Sequence, residues 1–207
     1  MTSPPHPFSG HGQGITPDDL YLTPPPWDLG RPQPAFLALV EAGAIAGRVV
    51  DVGCGTGEHV LMCADQGLTA VGIDLAASAL RIAETKAKER HLSARFLKMD
   101  ARNLAELGEH FNIVLDCGLF HIFSDEDRAV YADSLSSIVM SGGRYFMLAL
   151  SDQEPAHFGG RMRHVRQEEI AATFADRWQV DFIEPAKIEI TTDPAGVRAW
   201  LAGLTRR

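Results

Sequence analysis

Cysteine is scarce in this chain of 207 residues: Cys54, Cys63 and Cys117 are the full set, and no Cys-x-x-Cys pair occurs. An odd, widely spaced set supports neither a disulfide framework nor a zinc cluster, so no metal is expected and a reducing compartment, the cytoplasm, is. Long apolar runs are missing too. Nothing approaches the roughly 20 residues of a membrane span, and prolines within Met1 to Gly10 interrupt the apolar stretch a secretory leader needs. No membrane partner is expected. Positive charge is thin: 19 Lys and Arg against 27 Asp and Glu leave a net charge of −8, with no dense basic block. Such a balance repels phosphate backbones and excludes nucleic acid as a partner.

What is present is an ordinary globular composition, 45% apolar and 22% charged, at a length that suits one domain. Residues 1–35 stand apart because they hold nine of the 12 prolines. They read as an arm or lid, and residues 36–207 as the domain it serves. Within the arm, Thr16-Pro17-Asp18-Asp19 combines a capping hydroxyl, a first-turn proline and early acids, the start of a short helix. A second helix is expected from Gln33 to about Ile45.

From Arg48 onward, short β-branched runs alternate with helical stretches, the pattern of a parallel sheet with crossover helices. The strand candidates are Arg48–Val52, Leu68–Ile73, Ala94–Lys98, Ile113–Cys117 and Gly143–Leu150. Between them, 76–89 places Ala79, Leu80, Ala83 and Ala87 on one helical face. Ser124 caps an acidic turn, Asp125-Glu126-Asp127, opening a helix whose buried stripe is Val130, Leu135, Ile138 and Val139 and which Ser141-Gly142-Gly143 ends. Another helix is expected at 167–175. Two further runs, Trp178–Ile183 and Lys187–Thr191, are separated only by Glu184-Pro185-Ala186, too short for a crossover, so they read as an antiparallel hairpin. The expected fold class is α/β: a seven-stranded, mostly parallel sheet, last strand antiparallel, with helices on both faces.

One segment carries most of the chemistry. In Asp51-Val52-Gly53-Cys54-Gly55-Thr56-Gly57-Glu58 an apolar strand ends on an acid and enters alternating glycines that open a helix. Glycine there permits sharp turns and close approach of the backbone to a ligand. A dinucleotide oxidoreductase would carry Gly-x-Gly-x-x-Gly, whose third glycine falls at Glu58. A carboxylate there opposes a pyrophosphate at a helix N-terminus, which argues against NAD and FAD.

Asp51 to Gly57 resembles the first motif of class I S-adenosylmethionine-dependent methyltransferases, which have a Rossmann-like fold. Val71-Gly72-Ile73-Asp74-Leu75 is similar to the family's second acidic strand end, and the resemblance makes Asp74, with Leu75 beside it, the ribose ligand. Phe96-Leu97-Lys98-Met99-Asp100-Ala101 resembles the third motif, which implies that Asp100 and Ala101 hold the adenine. Phe111 to Cys117 resembles the fourth strand, whose Asp116 and Cys117 would lie beside the methionine moiety and the departing methyl. The implied cofactor set is Trp27, Asp51, Gly53, Cys54, Gly55, Thr56, Gly57, Asp74, Leu75, Asp100, Ala101, Asp116 and Cys117, with S-adenosylmethionine bound and S-adenosylhomocysteine as product. Acids suit that cofactor, which carries a sulfonium and an ammonium.

Pro25-Pro26-Trp27-Asp28-Leu29-Gly30-Arg31-Pro32 looks like the lid of small-molecule methyltransferases related to thiopurine, thiol and halide enzymes. The acceptor is then a small aromatic or heterocyclic O, N or S nucleophile, methylated by in-line displacement, which asks the protein chiefly to align the nucleophile and exclude water. His121 is the candidate general base, a role needed only for weakly acidic acceptors, against a structural role such as capping. Tyr21, Trp27, Phe120, His121, Arg163 and His164 are the expected acceptor-side residues. Asparagine occurs only at 103 and 112, so no Asp-Asn pair follows the fourth strand and a magnesium-dependent catechol type is disfavoured. A monomer or weak homodimer is expected. A catalytically silent S-adenosylmethionine-binding module is the alternative.

Overall fold

The computed structural model describes residues 16–155 and 163–207. Its strands are β1 Arg48–Val52, β2 Thr69–Asp74, β3 Arg95–Lys98, β4 Phe111–Cys117, β5 Val139–Leu150, β6 Trp178–Ile190 and β7 Asp193–Arg206. They form one seven-stranded sheet in the order β3-β2-β1-β4-β5-β7-β6. β1 through β5 pair parallel, and β7 runs antiparallel to both its neighbours, β5 and β6. The α/β expectation with a reversed last strand is therefore what the chain adopts. Strand order changes direction between β1 and β4, and in open α/β sheets such a switch point opens a crevice at the carboxyl ends of the strands.

Helices cover both faces. α1 Pro34–Glu41, α2 Glu58–Asp65 and α3 Ala77–Glu89 pack on one side with Phe36, Leu61, Leu80, Leu115 and Phe146. α4 Asp125–Ile138, α5 Gln167–Thr173 and the 3-10 segment Ala101–Leu107 pack on the other with Val52, Val114, Tyr131, Leu135, Ile170 and Trp178. Because strand side chains alternate in direction, neighbours such as Asp116 and Cys117 serve opposite faces. The cap at α4 forms as the sequence indicates, the Asp127 N–H donating to Ser124 Oγ at 3.1 Å.

Several boundaries differ from expectation. The hairpin expected at Glu184-Pro185-Ala186 does not form; Trp178–Ile190 is a single strand, and the chain turns back only after Ile190. β6 lies at the sheet edge, where a proline's missing N–H can face away from the ladder. The early helix ends at Glu41 rather than Ile45. Val130 is 49% exposed, not part of the stripe. Ser141-Gly142-Gly143 lies inside β5, since α4 already ends at Ile138. The expected short helix at Thr16 is a 3-10 turn, Pro17–Tyr21. Among the described residues no helix is long and apolar enough to cross a membrane.

Candidate active site

The crevice is built first by backbone. β1 runs into a loop in which Gly53, Gly55 and Gly57 have φ of 72°, 52° and 86°, a left-handed conformation that favours glycine. Space enforces the same choice. A Cβ on Gly57 would lie 2.8 Å from the Ala83 side chain on α3, and one on Gly55 would lie 2.8 Å from the Tyr21 hydroxyl. At the end of β2, Asp74 accepts hydrogen bonds from the N–H groups of Gly55 and Ala76, each at 2.8 Å. Burial raises its pKa above the usual carboxylate value despite these backbone hydrogen bonds.

A cavity of about 510 Å³ opens over this loop. Of the residues expected from sequence, Tyr21, Trp27, Gly53, Cys54, Gly55, Thr56, Asp74, Leu75, Asp100, Ala101, Cys117 and His121 line it. Asp100 reaches the cavity while also bound to Arg102, whose guanidinium approaches to 2.7 Å. Burial drives the Cys54 and Cys117 thiols well above their ordinary pKa, so both serve as small wall groups and not as nucleophiles.

Residues between Pro17 and Gln33 line one side of the cavity and are held at several points. Asp18 accepts from the Ser78 N–H at 2.6 Å, and Asp28 accepts from the Thr56 hydroxyl at 2.9 Å. Lys86 on α3 donates to Thr56 and to Glu58, each at 2.8 Å. Burial alone would raise the pKa of Glu58, but the hydrogen bonds from Arg90 and Lys86 prevail and hold its carboxyl low. Glu58, the residue that sets this loop apart from the dinucleotide pattern, thus belongs to the ion-pair network under the lid. On the other flank the Gln33 side chain exchanges two hydrogen bonds with the Glu189 backbone, at 3.0 and 2.9 Å, and Arg31 pairs with the Glu189 carboxylate.

Not every expected residue reaches the cavity. Asp116 is fully buried on the opposite face of the sheet, accepting from the hydroxyls of Tyr131 at 2.9 Å and Tyr145 at 2.7 Å and from the Leu119 N–H at 2.9 Å. Burial raises its pKa to about 6. It anchors the loop after β4 from behind and is not among the cavity-lining residues. Phe120 is likewise core, packed on Phe174 with ring centres 5.8 Å apart. Gly57 lies beneath the loop, and Arg163 sits at the surface, paired with Asp125 at 3.1 Å. His164 is half-buried and outside the lining as well.

Asp51 is buried just beyond the lining, 1% exposed, and neither carboxylate oxygen has a hydrogen-bond partner. His59 Nδ1 stands 3.7 Å away, and His59 Nε2 accepts the Gln33 N–H at 3.1 Å. A buried carboxylate left without partners is expensive unless a cation comes to it. The ammonium and sulfonium of S-adenosylmethionine fit that requirement, and the glycine loop supplies the close approach.

His121 lines the cavity but not as sequence reasoning had it. Its Nδ1 accepts the Leu150 N–H at 3.1 Å, so in the neutral ring the proton resides on Nε2. Burial first, then the charges of Arg128 and His164, lower its pKa to about 4. A ring so arranged donates a hydrogen bond and has no free lone pair with which to take a proton. This geometry speaks against the expected general-base role.

Some lining residues escaped the sequence reading. His59 is a lone histidine on α2 with no motif around it. Ile188, Ile190, Thr192 and Val197 come from the β6–β7 turn, a region whose strand boundaries were misread. Ile188, Ile190 and Val197 join Ile122 and Phe123 as apolar lining, and Leu119 adds to it beside Gly53.

A doubly wound sheet with this loop, two acids at the ends of neighbouring strands and a strapped-on arm defines a nucleoside-cofactor enzyme of Rossmann-like type. Comparisons narrow the class. Residues 49–143 match the family model described as a methyltransferase domain. The chain is 33% identical to a 2-heptyl-1-hydroxyquinolin-4(1H)-one methyltransferase of Mycobacteroides abscessus over 90% of this chain and 82% of the relative. It is 30% identical to a probable thiol methyltransferase 2 of Arabidopsis thaliana over 59% and 55% of the two chains. Among solved structures, one described in connection with conversion of a disulfide bond into a thioacetal group during echinomycin biosynthesis superposes with a TM-score of 0.82 at 32% identity, covering 89% and 85% of the chains. Magnesium protoporphyrin IX methyltransferase from Synechocystis PCC 6803 with bound SAM shares the fold, with a TM-score of 0.66 at 19% identity over 84% and 76%. The chain belongs to the class I S-adenosylmethionine-dependent methyltransferases.

Proposed function

We propose that this enzyme methylates the oxygen of an acidic hydroxyl on a small aromatic or heterocyclic molecule. S-adenosylmethionine, when bound, supplies the electrophilic methyl group. Asp74 receives the ribose hydroxyls, Asp100 and the Ala101 N–H hold the adenine, and the backbone of Gly53 to Gly55 passes beneath the nucleoside. Asp51 lends its negative charge to the cationic end. Trp27 and Tyr21 cover the site and keep water out, which matters because displacement at carbon competes with hydrolysis only where water is present.

The acceptor then lies along the apolar lining, between the arm, the turn joining β6 and β7, and the segment Leu119–Phe123. His121 carries the reading. With Nδ1 committed to Leu150, it offers one donor, Nε2–H, to an acceptor oxygen and cannot remove that oxygen's proton. Acceptors that ionise by themselves suit such a site, whereas alkyl alcohols and protonated amines do not. The hydroxyquinolinone named for the Mycobacteroides relative is a heterocycle with a hydroxyl of this kind. A panel of phenols, N-hydroxy heterocycles, thiols and aliphatic amines, assayed for S-adenosylhomocysteine release, tests the proposal. Turnover confined to acidic hydroxyls is the expected result; turnover only of amines, or of nothing while the cofactor binds, overturns it.

A further inference from the structure

A second buried charge, packed on the neighbour of the cavity-lining His121, leaves part of its hydrogen-bonding capacity unused. Arg128, on α4, is 3% exposed, and its Nε and Nη2 have no hydrogen bond. Its guanidinium rests on the Phe120 ring, 4.8 Å from the centre. Phe120 immediately precedes His121, which lines the cavity, and the Arg128 charge reaches that imidazole strongly enough to lower its basicity.

The groups facing Arg128 from every side leave the charge incompletely neutralised. Asp125, from its own helix, approaches Nη1 only to 3.6 Å, is 76% exposed, and is shared with Arg163 at 3.1 Å. Glu169 on α5 stands at 3.9 Å. Arg163 adds positive charge, and the His121 imidazole feels the Arg128 charge in turn. A residue present only to tie α4 to α5 would use its remaining donors, because an idle buried guanidinium is costly.

We propose that Arg128 makes the His121 end of the cavity selective for an oxyanion, so that the acceptor is an aromatic or heteroaromatic hydroxyl compound bound in its deprotonated form. The inference rests on the function proposed above and deepens it. Arg128 acts as a positioning residue through the buried Phe120 ring and the adjoining His121, in surroundings where charges are poorly screened. The acceptor loses its proton to solvent before it binds; the oxygen's lone pair then forms the new O–C bond as the C–S bond of the cofactor breaks. No side chain has to accept a proton, in keeping with the committed Nδ1 of His121.

The test uses 4-nitrophenol, whose phenolate absorbs in the visible, titrated into the intact protein saturated with S-adenosylhomocysteine. The bound phenol should ionise about one pH unit or more below the free compound, a tenfold preference for the anion. Arg128→Met should restore the free value and Arg128→Lys should lie between, with S-adenosylhomocysteine affinity unchanged in both. Asp125→Asn, at an exposed position, should deepen the shift and so probes the same charge even if Arg128→Met fails to fold. An unshifted ionisation in the unsubstituted protein, no uptake of the phenol, or the same shift in Arg128→Met overturns the proposal. Failure to bind S-adenosylhomocysteine would instead refute the methyltransferase reading itself.

Discussion

Replacing Gln33 by alanine should loosen the arm without disturbing the sheet. The Gln33 amide is 3% exposed and exchanges two hydrogen bonds with the Glu189 backbone at 3.0 and 2.9 Å. Each such bond contributes roughly 0.5–1.5 kcal/mol net, so the closed arm should lose about 1–3 kcal/mol. Other ties remain: the Gln33 backbone N–H still reaches His59, and the Thr191 N–H still donates to the Pro26 carbonyl at 2.8 Å. The closed-to-open ratio therefore falls by about 5- to 150-fold, and the dissociation rate of S-adenosylhomocysteine rises by the same factor if opening from a mostly closed state gates release. Stopped-flow displacement, followed through Trp27 in the arm, reads that rate; limited proteolysis of the arm reads the opening. An off-rate within twofold of the original, together with unchanged protease protection, would refute the latch.

Asp116→Asn should cost stability and spare the cofactor. One carboxylate oxygen accepts both tyrosine hydroxyls and the other accepts the Leu119 and Phe120 N–H groups, so an amide must turn its NH2 against one of these donor pairs and a loss of about 1–3 kcal/mol is expected in urea melts, with S-adenosylhomocysteine affinity unaltered; a large affinity loss at full stability would return Asp116 to the cofactor site. His121 makes a pH prediction. Its folded pKa of about 4 lies below the ordinary histidine value, so the unfolded chain gains a proton first and stability falls as pH drops from about 6.5 towards 4, by at most about 3 kcal/mol. His121→Asn should flatten that limb of the stability profile, and an unchanged limb would show that His121 is not its source.

The sequence disclosed the catalytic half of the fold better than the acceptor half, for physical reasons. β1, β2 and the glycine loop are written in a local code: an apolar run, an acid, then glycines whose left-handed turns no other residue enters easily. β6 was split in two because Pro185 ordinarily interrupts a strand, yet at a sheet edge it does not. β7 reads as a loop at Asp193, Pro194 and Gly196, and its strand character comes from pairing with β6 over Val197 to Arg206 and with β5 over Ala199 to Thr205. Asp116 was misassigned by motif alone. Alternation along β4 gives Cys117 to the cavity and Asp116 to the tyrosines, but the register that fixes which face is inside comes only from packing. His121 sat where expected, while its tautomer depended on the Leu150 N–H, a partner 29 residues away that spacing cannot reveal.

The account stands most directly on whether Asp74 grips the ribose of an adenosyl thioether in this cavity. Calorimetry of S-adenosylhomocysteine binding to the protein and to Asp74→Ala measures it. Loss of two hydrogen bonds to a charged acceptor, about 1.5–3 kcal/mol each, predicts affinity weaker by about 100-fold or more, with no heat from NAD in either protein. Equal binding to both proteins, or NAD binding as tightly, would contradict it.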